Sequence, residues 1–112
     1  MTKLVTPDDV IDALAACRAE AEKGIQAQYE AELQMSHAVL EAERLEAQTF
    51  LEASGTVADR TAMAKVAAAE SKAAAEIARA RYNRVRTKLK QLELTQTALQ
   101  TQARMVEITW RL

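Results

Sequence analysis

The sequence predicts an all-α protein, a long antiparallel two-helix coiled-coil hairpin. Three observations predict it: the composition, one turn signal near the middle, and a seven-residue repeat of uncharged residues. One proline, two glycines and 4% aromatic residues in 112 disfavour both β-sheet and a large globular core. The length suits a single domain over residues 1–112. Any buried region must therefore be a thin seam of small and aliphatic side chains.

The first helix is predicted over about residues 7–53. Thr6 is a favourable N-cap residue, and Pro7 suits the first helical turn. Asp8 and Asp9 complement the positive end of the helix dipole. No strong helix-breaking signal follows until the stretch EASGTVADR, so we expect one uninterrupted helix up to that point.

The turn is predicted near Ser54–Thr56. Gly55 can take the left-handed conformation that ends many helices. Thr56, followed three residues later by Asp59, has the spacing of a capping box. A second helix is therefore expected over about residues 57–110. Because the turn is so short, the two helices should be antiparallel neighbours.

Each predicted helix carries an uncharged stripe with alternating spacings of four and three residues, which is typical of a coiled coil. On the first helix the stripe comprises Val10, Leu14, Cys17, Ala21, Gly24, Gln28, Ala31, Met35, Ala38, Ala42, Leu45 and Thr49. On the second it comprises Val57, Thr61, Ala64, Ala68, Ser71, Ala75, Ala78, Tyr82, Val85, Leu89, Leu92, Gln96, Leu99, Ala103, Val106 and Trp110. A turn at Gly55 places residues face to face when their numbers sum to about 110. Leu45 then faces Ala64 and Leu89 faces Ala21, so a large residue meets a small one.

Charge is divided unevenly between the two halves. Residues 1–53 hold four bases and eleven acids, net −7, whereas residues 56–112 hold eleven bases and five acids, net +6. The stretch ARARYNRVRTKLK has no acid and six bases, which are Arg79, Arg81, Arg84, Arg86, Lys88 and Lys90. One interpretation is an internal charge match, with Arg79 and Arg81 near Glu32 and Glu30. The alternative is that the six bases bind the phosphates of a nucleic acid.

Apolar residues also occur off the predicted seam, where a two-helix hairpin cannot bury them. The residues proposed for a protein interface are Leu33, Leu40, Leu51, Leu94, Met105, Ile108 and Trp110. Exposed apolar stripes of this kind favour self-association into a dimer or tetramer, with a partner protein as the alternative. Trp110 is either an interface anchor or a residue that packs on Leu4 and Val5.

No catalytic, cofactor-binding or metal-binding set is evident. Cys17 is the only cysteine and His37 the only histidine, and they lie 20 residues apart, about 30 Å along one helix. The sequence therefore predicts a protein that is not an enzyme and that binds no cofactor. No apolar run approaches the length of a membrane span, and the N-terminus lacks the apolar core of a signal peptide. These features predict a soluble, cytoplasmic protein.

The stretches FLEASGTVADRTAMAKVAAAE and RYNRVRTKLKQLELTQTALQT carry a resemblance to a known group of proteins. They are similar to small helical-hairpin accessory proteins from the early or recombination regions of tailed bacteriophages and prophages, over roughly residues 30–105. The resemblance implies a phage accessory role in the cytoplasm of a host cell, beside recombination proteins or as an inhibitor of a host factor. It transfers no site residues.

Three functions remain open at this point. The first is a non-enzymatic phage accessory protein that acts through protein–protein contacts with a host or phage protein. The second is a DNA-binding recombination accessory that uses the basic segment between Arg79 and Lys90. The third is a structural coiled coil of a larger assembly.

Overall fold

A computed structural model of the chain describes residues 6–111 and consists of two long helices. Helix α1 spans Pro7–Glu52 and helix α2 spans Val57–Arg111, with no strand among the described residues. The predicted all-α helical hairpin is confirmed. The observed bounds lie within one residue of the predicted ones, and local signals fix the start of α1 and the turn between the helices.

Contacts group the chain into two compact units, each containing part of both helices. Unit 1 comprises Met1–Ala27 and Val85–Leu112, and unit 2 comprises Gln28–Arg84. We describe each unit by itself.

The start of α1, in unit 1, is held by a reciprocal cap. The backbone N–H of Asp9 donates to Oγ1 of Thr6 at 3.2 Å, and the N–H of Thr6 donates to Oδ2 of Asp9 at 3.1 Å. The sequence identified Thr6 as the cap and Asp9 only as a dipole partner. The structure shows that Asp9 also closes the capping box, which satisfies two backbone donors at the helix start.

The turn between the helices, in unit 2, follows its sequence signals. Gly55 has a φ of 116°, a conformation that side chains rarely adopt. Thr56 and Asp59 form the predicted capping box, with bonds of 3.2 and 3.4 Å. Gly55 thus reverses the chain, and Thr56 with Asp59 caps α2.

Arg60 connects the two ends of this turn. Its Nε donates to the backbone oxygen of Phe50 at 3.0 Å, and its guanidinium carbon lies 4.4 Å from the centre of the Phe50 ring. A cation here satisfies a carbonyl in the last turn of α1 and complements the negative end of the helix dipole. Sequence reasoning missed this contact.

The buried positions in the seam of unit 2 are all alanine. The buried residues are Ala31, Ala42, Ala64, Ala68 and Ala75, all of which belong to the predicted stripes. Side chains this small allow two helix backbones to approach closely, so the unit is held by dense packing along its length rather than by large core residues.

The seam of unit 1 sets larger side chains against smaller ones. A Cβ added to Gly24 would lie 2.9 Å from Cδ1 of Leu89, and the Cys17 thiol donates to the backbone oxygen of Leu92 at 3.6 Å. Leu89 was predicted to face Ala21, and the structure shows its side chain reaching Gly24, one turn further along α1. Helical side chains tilt toward the N-terminus of their own helix, which displaces the contact by about one turn.

Two predicted seam residues are exposed instead. Val57 is 68% exposed and Trp110 is 65% exposed. Val57 is the first residue of α2 and lies beyond the last residue of α1, Glu52, so no helix covers it. Trp110 lies near the other end of α2, beside the start of α1 at Pro7. Leu4 and Val5, which were expected to cover Trp110, lie outside the described residues.

Candidate functional site

The apolar positions proposed for an interface all lie on the surface. In unit 2 these are Leu33, Leu40 and Leu51 of α1, and in unit 1 they are Leu94, Met105, Ile108 and Trp110 of α2. Each is at least half exposed. Scattered exposed apolar residues are ordinary, but residues aligned at helical spacing create a continuous surface that another helix can cover.

Helix α2 carries a second seven-residue repeat on the side of the helix that faces away from the seam. We call this surface the α2 outer face. In unit 2 it comprises Met63, Val66, Glu70, Ala73, Ile77, Ala80 and Arg84, and in unit 1 Thr87, Gln91, Leu94, Ala98, Thr101, Met105 and Ile108. All of these residues are exposed, and only Glu70 and Arg84 are charged. A repeat at alternating spacings of three and four residues is the arrangement that packs against another helix.

Sequence reasoning found only the C-terminal part of this face. The part in unit 2 was missed because Ala73 and Ala80 are small and do not stand out as apolar positions. Their seven-residue spacing from Val66 and Thr87 is the signal that could have revealed them. Thr101 presents a less polar surface than a free threonine would, because its hydroxyl donates to the backbone oxygen of Thr97 at 3.2 Å. That bond leaves its methyl group available for packing.

Helix α1 presents a matching outer face in unit 2, which we call the α1 outer face. It comprises Glu30, Leu33, His37, Leu40, Arg44, Ala47 and Leu51. All seven are exposed, and Leu51 at 75% is among the most exposed apolar residues described. Unit 2 therefore carries one mostly apolar exposed stripe on each of its two helices.

An apolar groove lies beside Trp110 in unit 1. It is lined by Pro7, Val10, Ile11, Ala103, Val106, Glu107, Trp110 and Arg111. Glu107 and Arg111 form an ion pair at 2.5 Å along one edge. The indole of Trp110 lines this groove and is mostly exposed, so its role as an interface anchor stays a prediction.

The basic segment is exposed along α2. Arg79, Arg81 and Arg84 lie in unit 2, and Arg86, Lys88 and Lys90 lie in unit 1. Arg79 pairs with Glu76 of its own helix at 3.8 Å, and not with Glu32 as the internal charge match predicted. The other five bases form no ion pair within the described part of the chain.

A charge contact between the helices does occur elsewhere in unit 2. Lys72 Nζ of α2 lies 2.6 Å from a carboxylate oxygen of Glu46 of α1. In unit 1, Lys88 lines the same shallow groove as Glu20, but Glu20 pairs with Lys23 of α1 at 3.6 Å. Exposed ion pairs of this kind contribute less than about 1 kcal/mol each, so the charge asymmetry leaves most of the basic segment available to other molecules.

The cysteine and the histidine do not form a common site. Cys17 is buried in the seam of unit 1, whereas His37 is exposed on α1 in unit 2. Within residues 6–111 no group of three or more His, Cys, Asp or Glu residues could hold a metal ion. None of the helices in that range is long and apolar enough to span a membrane. The surfaces that stand out are the two outer faces, the groove at Trp110 and the basic segment.

Comparisons with protein-family models, with curated proteins and with solved structures return no match to this chain. The surfaces described above therefore carry the functional argument.

Proposed function

We propose that this chain is a non-enzymatic accessory protein that acts through protein–protein contacts made by the outer faces of its helices. The observation that supports the proposal is the α2 outer face, where residues that are uncharged except for Glu70 and Arg84 repeat with heptad spacing on the exposed side of a helix. Leaving such a stripe in water forgoes about 25 cal/mol for each Å² of apolar surface that a partner could cover. The bacteriophage setting of this proposal comes from the resemblance of residues 30–105 alone.

Charging the unit 1 part of this face is expected to weaken its binding to another protein. The variant Leu94→Glu with Met105→Glu places two carboxylates on exposed positions of α2, so its fold should be unaffected while any helix docked there must bury charge. We expect at least a tenfold loss of partner binding. The measurement is capture of interacting proteins on the immobilised chain.

The matched control is Thr95→Glu with Gln102→Glu, which adds the same charge to exposed polar positions of the same helix. The control should associate like the unmodified chain. If the Leu94 and Met105 variant associates as strongly as the control, the proposal is wrong.

Nucleic-acid binding is a second candidate, favoured by the five exposed bases that lack an ion-pair partner in the described part of the chain. A basic stripe can bind phosphates without reading bases, and each phosphate neutralised adds about 0.9 to the slope of log affinity against log salt. Neither exposed aromatic stacking nor a base-reading motif accompanies the stripe, since Tyr82 lies on the seam.

Fluorescence anisotropy with single-stranded and duplex DNA tests this candidate. DNA binding predicts affinity that falls steeply as salt rises and that drops at least tenfold after Arg84→Glu with Arg86→Glu. The absence of binding at low ionic strength would rule the second candidate out and leave protein contact as the function.

A further inference from the structure

We infer that the outer faces in unit 2 bind each other between two copies of this chain, so that α1 of one copy docks on α2 of the next. This inference rests on the proposed function and names the partner, which is a second copy. It also names the geometry, in which each copy contributes a different face.

Net charge is the first argument for this pairing. In unit 2, α1 carries six acidic residues and one base between residues 28 and 52, net −5, whereas α2 carries six bases and three acids between residues 57 and 84, net +3. Pairing α1 with α1, or α2 with α2, would bring like charges together. Only the mixed pairing brings opposite charges together, which favours encounter and suppresses the alternatives.

The positions of the charges within the faces specify direction. Each face has one acid and one base fourteen residues apart: Glu30 and Arg44 on α1, and Glu70 and Arg84 on α2. When the two faces run antiparallel with residue numbers summing to about 114, Arg44 lies opposite Glu70 and Glu30 opposite Arg84. A parallel arrangement would oppose acid to acid and base to base, which is unfavourable.

The same register also matches side-chain sizes. It sets Leu33 against Ala80 and Leu40 against Ala73, and it sets Ala47 against Val66. Three of the five pairs other than the charged ones thus set a large residue against a small one, as inside the hairpin where Leu89 lies over Gly24. The other two pairs set Leu51 against Met63 and His37 against Ile77. Pairing α1 with itself would instead oppose leucine to leucine, and pairing α2 with itself would oppose alanine to alanine.

The contact is heterologous, because one copy contributes α1 and its neighbour contributes α2. Each copy therefore keeps one unused face, and association continues from copy to copy unless a ring closes. The expected behaviour is a solution mass that rises with concentration, rather than a fixed dimer.

Mixing two blocked variants tests this geometry. Leu40→Glu blocks the α1 outer face, and Ile77→Glu blocks the α2 outer face. Both positions are 63% exposed, so the fold should be retained. Either variant alone should be monomeric, since a heterologous contact needs both faces. An equal mixture should double in mass to a 1:1 dimer, because the intact α2 face of one variant meets the intact α1 face of the other.

The control for both blocked variants is a charge added elsewhere on α2. Ala58→Glu adds a carboxylate away from both faces and should assemble like the unmodified chain, and circular dichroism should show equal helicity for all variants. If Ile77→Glu alone still dimerises, α1 pairs with α1; if Leu40→Glu alone still dimerises, α2 pairs with α2. Either result overturns the inference, as does a mixture that stays monomeric.

Failure of the inference is distinguishable from failure of the proposed function. An unmodified chain that remains monomeric at all concentrations, yet captures another protein in a manner lost with Leu94→Glu and Met105→Glu, overturns the inference and leaves the function intact.

Discussion

Replacing Ala68 with leucine is expected to destabilise the protein by about 2–3 kcal/mol. Ala68 lies in the seam of unit 2 with 0% of its surface exposed, and Ala64 next to it along the stripe is 2% exposed. A leucine there has no space to enter without separating the two helix backbones. Separation would also loosen the packing of the neighbouring alanines, since dense packing is what holds this seam.

Ala69→Leu is the matched control, because it adds the same side chain to the same helix at an exposed position. Its free energy of unfolding should stay within about 0.5 kcal/mol of the unmodified value. Urea and thermal unfolding followed by circular dichroism provide the comparison. Equal stability of the two variants would mean that the alanine seam is not closely packed.

The helix bounds and the turn could be predicted because their signals are local. Thr6, Gly55 and Thr56 each act through a backbone conformation or a cap formed within three residues, and the structure shows each of them in that role. Caps and turns of this kind depend little on the rest of the fold, so they can be predicted from a single sequence.

The seam could be predicted for a different reason. A heptad repeat defines one face of a helix, and two such faces joined by a short turn have one antiparallel register. The prediction fails at Val57 and Trp110, which lie near the two ends of α2 and are mostly exposed there. The heptad repeat indicates which side of the helix a residue lies on, but it does not indicate where the neighbouring helix ends.

The ion pairs could not be predicted from register alone. Arg79 was expected near Glu32, yet it pairs with Glu76 on its own helix. Lysine and arginine side chains are long and flexible, and neighbours three or four residues away on the same helix compete with acids across the seam for less than about 1 kcal/mol. Net charge therefore predicts which helices attract one another more reliably than it predicts individual pairs.

Cys17 offers a direct probe of how firmly unit 1 is closed. Its side chain is 6% exposed, and its thiol donates to the backbone oxygen of Leu92 across the seam. Reaction with a disulfide reagent requires an accessible thiolate, so the two helices must separate locally before Cys17 can react. We expect labelling of the folded protein to be roughly 100-fold slower than in urea, which corresponds to a local opening of about 2.7 kcal/mol.

The control is Ala19→Cys combined with Cys17→Ala, which moves the thiol two residues along α1 to an exposed position. This variant should react in the folded protein at nearly the rate measured in urea. The ratio of the two folded-state rates then reports closure of the seam independently of the reagent. If Cys17 reacts as fast as the cysteine at position 19, the seam of unit 1 is open in solution. The packing of Leu89 over Gly24 would then contribute little stability, because both contacts lie in the same unit.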